Sequence, residues 1–263
     1  MSLFKKYRQN TATFIIVVIG IFLLAEVARD VMREGDFGGY ISTGQLAFNG
    51  DFIYSDFRNT WPPFFSIFSI PLYALDSVSF YGLRLVWLTG ILVAYYFIFR
   101  SVIQDFIGKQ LVFKFKSKNP GEIGLTHHLF LAPFLLSFRI LLEEVSNLQI
   151  NIFLLGASLV VLHLIQNNKK IAAGLLLGFI ISLKVYPIFI FLFLIFKKEF
   201  KAAGATLLGI GLCTATVFLY FGYNEGIELF KHWNTAQVSG VNCEFKNHSL
   251  WGFLCGLFSG LPR

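Results

Sequence analysis

The sequence predicts an all-α integral membrane protein, a polytopic helical bundle with a large first outer loop. Three observations predict it. Of the 263 residues, 56% are hydrophobic and only 14% are charged, against about 25% charged in a soluble domain. Mean hydropathy is +0.66, carried by apolar runs close to the ~20 residues that cross a bilayer. The 22 Lys and Arg stand in small groups between those runs, where the positive-inside rule puts them. The pattern excludes a cytosolic enzyme, a secreted disulfide scaffold and a disordered tail. The net charge of +7 forms no basic face or tract, so no nucleic acid is expected as a partner. Cys213, Cys243 and Cys255 match no zinc spacing, and no metal site is expected.

The elements follow in order. Thr11 to Ala28 is the first span, and it trails Lys5, Lys6 and Arg8, which puts the N-terminus in the cytoplasm. It lacks a small-residue cleavage site and runs directly into charge, so it reads as an anchor. Residues 29–60 are mixed and polar and form the outer loop. Trp61 to Leu75 is short and carries Pro62, Pro63 and Pro71. It is expected not to cross fully, packing instead as a re-entrant piece on the outer side. Phe80 to Phe99, Leu125 to Leu142 and Ile150 to Ile165 are further spans. Ile171 to Phe196 is expected to fold as a hairpin with its tip near Lys184 and arms of about 17 residues, with flanking lysines snorkelling. Ala202 to Phe221 is the last clear span, and residues 222–263 form an outer tail. In this arrangement thirteen of the 22 Lys and Arg fall in inner loops.

The same arrangement gathers the residues with chemical potential on the outer face. Arg33, Asp36 and Tyr40 are spaced i, i+3 and i+7, so on a helix they share a face. A partly desolvated carboxylate there suits a general base; the alternative is a surface-helix cap paired with Arg33. Asn147, Gln149 and Asn151 alternate before a span, as hydroxyl-binding amides or as a polar helix cap. Lys184 lies inside a long apolar stretch, where a charge needs an anion or a wet cavity, or snorkels to the interface. Tyr186-Pro187 follows it. Asn247-His248-Ser249 lies in the tail, with His232 and Trp233 upstream. His127-His128 begins a span on the inner side. Cys243 and Cys255 are able to pair in an oxidising compartment. Asn49-Gly50 is a turn signal, and Trp61 reads as an interfacial anchor.

Six steps in this order carry a resemblance. They are Asp36-Phe37-Gly38-Gly39-Tyr40, Gly50 to Tyr54, Trp61-Pro62-Pro63, Gln149 with Asn151, Lys184-Val185-Tyr186-Pro187, and Asn247 to Leu250. Together they resemble glycosyltransferase family 87, membrane enzymes of the GT-C type that include polyprenyl-phosphate-mannose-dependent mannosyltransferases. The resemblance implies an outward-facing cavity in the plasma (inner) membrane and a polyprenyl-phosphate-linked sugar donor. It implies transfer of a hexose, mannose, to a lipid or glycan acceptor. Asp36 falls on the catalytic base and Lys184 is suited to stabilise the leaving phosphate; with Lys184, the residues Arg33, Tyr40, Tyr54, Gln149, Asn151, Tyr186, Asn247 and His248 are the substrate-binding candidates. No cofactor is implied, because the lipid phosphate is itself an activated leaving group. The chain departs from the family pattern where Leu148 replaces the usual glycine and His248 the usual glutamine. Family members are commonly longer, so the single membrane domain, 1–263, is expected to lack C-terminal helices. The competing readings are a non-catalytic carrier binder or transporter and an inactive fragment.

The topology makes a direct prediction. In cells carrying Lys116→Cys or Asn147→Cys as the single cysteine, a membrane-impermeant thiol reagent should label position 147 alone. Labelling of position 116 from outside intact cells overturns the map.

Overall fold

In a computed structural model of the chain, residues 2–55 and 59–239 are described. Helix α1 (Ser2–Asp30) is followed by a short turn and α2 (Gly35–Asn49). A single 3-10 turn, Ile53–Ser55, leads to α3 (Pro63–Val78) and α4 (Phe80–Ile107). Two-residue strands β1 (Gln110–Leu111) and β2 (Glu122–Ile123) pair in parallel. Then come α5 (His128–Ser146), α6 (Asn151–Gln166), α7 (Lys170–Leu183), α8 (Ile188–Phe196), α9 (Phe200–Phe221) and α10 (Tyr223–Ser239). Among the described residues, three helical stretches are long and apolar enough to cross a membrane: Asn10–Asn49, which runs from within α1 to the end of α2, then Phe80–Ile107 and Phe200–Phe221. The protein is an all-α membrane protein.

The helix directions follow from contacts at the two ends. Lys170 at the start of α7 pairs with Glu199 at the start of α9 at 2.7 Å. The chain therefore leaves that end along α7, breaks at Lys184, returns through α8 and leaves again along α9. A β-carbon on Gly174 would meet Ala202 and Ala205, and one on Gly178 would meet Thr206 and Ile210, which gives the parallel register of α7 and α9. Glycines let the two backbones approach because, inside a bilayer, helix association relies on close packing rather than on the hydrophobic effect. The reversal sits where the charge pattern puts it, but its arms are shorter than the 17 residues expected: 14 in α7 and 9 in α8. Pro187 prevents α7 from running on: it has no N–H for the Leu183 carbonyl and its ring clashes with that group, and Lys184 is already extended at φ −154°.

Trp61 to Leu75 corresponds to α3, and both of its ends lie at the end of the bundle that carries Asp36. Trp61 packs edge-on against Tyr40 with ring centroids 4.8 Å apart. Just beyond the other end, Arg84 lies 5.4 Å from the Phe37 ring centroid. Along the way Tyr40 meets Phe65, a β-carbon on Gly44 would meet the backbone of Ser69, and Phe48 meets Tyr73. Helices α2 and α3 thus run side by side across this end. Trp61 is buried rather than an interfacial anchor, because the aromatic face of α2 covers it. Residues 29–60 are accordingly mostly helical, and the first part of the tail is α10, whose Trp233 indole donates to the Thr60 carbonyl at 3.2 Å.

The α7–α9 contact carries a prediction. Forcing a side chain into a packed interface costs about 1–3 kcal/mol, or more against rigid backbone. Gly178→Leu should lower the unfolding temperature in detergent well below that of Gly211→Leu, since nothing lies within 4 Å of a β-carbon at Gly211. Equal stabilities would show that the register is wrong.

Candidate functional site

The site forms around the four-residue turn between α5 and α6. Leu148 holds it in the left-handed region at φ 48°. Such a backbone costs a non-glycine residue about 1–2 kcal/mol, and here the cost is offset by complete burial of the leucine side chain. This is the position where the resemblance implies a glycine, the residue at ease at positive φ. Three groups from elsewhere clamp the turn. The Asp36 amide donates to the Asn147 carbonyl at 2.8 Å. The Trp87 indole donates to the Leu148 carbonyl at 3.1 Å, and the Ile150 amide donates to the Tyr40 hydroxyl at 3.3 Å. Gly35 is required on two counts, with φ at +49° and with a β-carbon placed 2.5 Å from the Asn147 oxygen.

These clamps bring Asp36, Glu144, Gln149, Asn151 and Lys184 together. Lys184 donates to Oδ1 of Asn151 at 2.8 Å. The Asn151 amide donates to Glu144 at 2.8 Å and to Oε1 of Gln149 at 2.6 Å. Gln149 in turn lies in hydrogen-bonding reach of the Asp36 carboxylate. Asp36 and Glu144 lie outside the apolar runs read as spans, Gln149 lies in the α5–α6 turn, Asn151 is the first residue of α6 and Lys184 stands at the break after α7. Burial pushes the Asp36 carboxyl above the usual carboxylate range, with the Lys184 charge and the Gln149 hydrogen bond pulling the other way. Burial likewise raises Glu144, against hydrogen bonding from Asn151 and the charge of Lys184. Burial lowers Lys184, while Asp36 and Glu144 raise it. A half-buried carboxylate with an increased proton affinity, next to an ammonium, has the two groups needed to accept a proton and to face an anion.

The remaining candidates are placed as follows. Arg33 does not share a helix face with Asp36. It lies in the turn before α2 and pairs with the buried Asp30 at 3.1 Å, because Gly35 starts a new helix direction there. Tyr40 is fully buried and its hydroxyl is occupied by the turn, so it holds the backbone of the site. Tyr54 donates to the Trp61 carbonyl at 2.9 Å and closes the loop ahead of α3. Tyr186 is exposed, with its ring centroid 5.5 Å from the Lys184 Nζ. Asn147 caps its own helix through the Glu143 carbonyl. His127 caps α5 by accepting from the Leu129 amide, and His128 stacks on it. His232 packs edge-on against Phe52. Asn247 and His248, with Cys243 and Cys255, lie outside the described residues.

Two groups lie outside the site residues that the sequence reading selected. Glu144 is one of a pair of adjacent acids, and its spacing of three from Leu141 puts it on the buried face of α5. Arg84 is buried, pairs with Asp76 and lies over the Phe80 ring at 3.5 Å. It ties the α3–α4 turn to Phe37, one residue from the candidate base.

The fold and the cluster define the class: a membrane-embedded helical protein with charged and amide groups gathered at one end of its apolar helices. The chain belongs to glycosyltransferase family 87, whose family model matches residues 59–261, and it is a glycosyltransferase. Gln149, Asn151 and Lys184 fall inside the match, as does Glu144, whereas Asp36 and Tyr40 precede it. No curated protein and no solved structure matches the chain.

The strained turn can be tested. Leu148→Ala and Leu148→Gly both remove a buried leucine, a loss of about 2–5 kcal/mol. Leu148→Gly should be the milder by about 1 kcal/mol, since glycine is at ease at positive φ. Chemical unfolding in detergent measures both, and a more stable Leu148→Ala would contradict the turn geometry.

Proposed function

We infer that this glycosyltransferase moves a hexose, mannose by its family resemblance, from a polyprenyl-phosphate donor to a hydroxyl of a lipid or glycan acceptor. The reaction takes place on the outer face of the plasma (inner) membrane, with the N-terminus cytoplasmic. The observation that carries this reading is the joining of Asp36 to Lys184. A carboxylate from α2 and an ammonium from the break between α7 and α8 act on each other electrostatically and are linked through two amides, Gln149 and Asn151.

The chemistry balances with these groups. The Asp36 carboxylate accepts the proton of the acceptor hydroxyl. The acceptor oxygen forms its bond to the anomeric carbon as the bond from that carbon to the phosphate oxygen breaks. The lipid phosphate leaves with the electron pair, and its added negative charge faces Lys184. Such a placed cation acts on charge that develops during reaction, which is where electrostatic stabilisation lowers a barrier. Gln149 steers the Asp36 carboxylate, and Tyr186, exposed beside Lys184, presents a ring face to sugar or lipid. Asn247 and His248 belong to the same reading through the resemblance.

Asp36→Asn should reduce transfer from a polyprenyl-phosphate sugar by about 10²–10⁴-fold while donor binding persists, because the amide is nearly isosteric. Lys184→Met should weaken donor use with the protein still inserted and folded. Lys184→Arg should keep the charge and alter the fit. Wild-type turnover in Asp36→Asn assigns the base elsewhere.

A further inference from the structure

Glu144 takes no part in the steps above, yet it is only 6% exposed and is joined to Lys184 through a single amide. The direction of that link is fixed by chemistry. Lysine only donates, so Asn151 turns its carbonyl to Lys184. The amide protons of Asn151 then point at two acceptors, the Glu144 carboxylate and the Gln149 carbonyl. With its carbonyl occupied, Gln149 has its own NH2 left for Asp36. Only one oxygen of Glu144 is engaged in this way. Its Oε2 has no hydrogen-bond partner, and the Ile152 amide acts on the carboxylate without reaching hydrogen-bond geometry at that oxygen.

A buried ammonium loses its proton readily unless negative charge stands near it. The charged groups that act on Lys184 are Asp36 from α2 and Glu144 from α5. Asn151 and Gln149 from the α5–α6 turn are neutral, and Tyr186 offers its ring. The two carboxylates are not equivalent during a turnover. When Asp36 accepts the acceptor proton its charge disappears, at the moment when the phosphate is leaving. Glu144 is the counter-charge that persists.

We propose that Glu144 is a positioning residue for Lys184: through Asn151 it keeps the ammonium protonated and fixed beside the leaving phosphate throughout turnover. The proposal rests on the reading of Lys184 as the phosphate-facing group. It gives Glu144 a role in donor use distinct from that of Asp36, since it never touches the reacting atoms.

The test is Glu144→Gln, which preserves shape and can still accept from Asn151 but removes the charge. With a polyprenyl-phosphate hexose as donor, the alkaline limb of the kcat/KM profile should move down by roughly one pH unit, a loss of about tenfold on that limb. Turnover at saturating donor on the plateau should change little, and Glu144→Asp should restore the limb. A second measurement needs no turnover: the pH midpoint for acetylation of Lys184 by a water-soluble anhydride, read by mass spectrometry. It should fall in Glu144→Gln and recover in Glu144→Asp. An unmoved acetylation midpoint overturns the proposal whatever the activity data show. A lowered midpoint in a protein that uses no polyprenyl-phosphate donor would uphold the charge coupling and reject the donor reading instead.

Discussion

The site depends on the hydrogen bond between the Asp36 amide and the Asn147 carbonyl, made across a glycine contact. It joins the start of α2 to the turn between α5 and α6. Inside or beside a bilayer, an unpaired backbone group is costly, so a turn at this depth needs donors from outside itself. Asp36 and Trp87 supply two, and the Tyr40 hydroxyl takes up the Ile150 amide. The clamps that satisfy the backbone also set the side chains. With Asn147 held, Gln149 and Asn151 fall between Asp36 and Lys184.

The aromatic layer makes this clamp rigid. Tyr40 touches Trp61, Phe65 and Trp87, and Phe37 touches Trp87 at 4.8 Å. Large flat side chains bury much area with few rotatable bonds. They hold α2 and α3 together across this end of the bundle. The buried pair of Arg84 and Asp76 extends the same layer to α4. Charge in the low-dielectric end of the bundle is thus compensated at each point: Arg84 by Asp76, Arg33 by Asp30, and Lys184 by two carboxylates.

The catalytic reading gains a physical basis from that compensation. Asp36 has an increased proton affinity because it is partly removed from water, yet stays within reach of Lys184. Neither effect alone would serve. An isolated buried carboxylate would hold its proton, and a tightly ion-paired one would be a poor base. Lys184 in turn has a protein partner for its ammonium, which donates to Asn151.

By itself, the sequence determined what depends on composition and spacing. The low charge and long apolar runs specify a helical membrane protein, because hydrocarbon admits backbone only when its polar groups are paired within a segment. Lys184 was legible because a charge in an apolar stretch is expensive, and Gln149 with Asn151 because amides repeat just before a span. The tertiary structure decided which polar groups meet. Helical spacing put Arg33 with Asp36, but Gly35 turns the chain between them and hands Arg33 to Asp30. Aromatic character put Trp61 at the interface, but α2 covers it. Glu144 looked like either of two adjacent acids until the α5–α6 turn carried Asn151 back over one of them. Pairings of this kind join residues far apart in the chain, and one sequence read locally does not contain them.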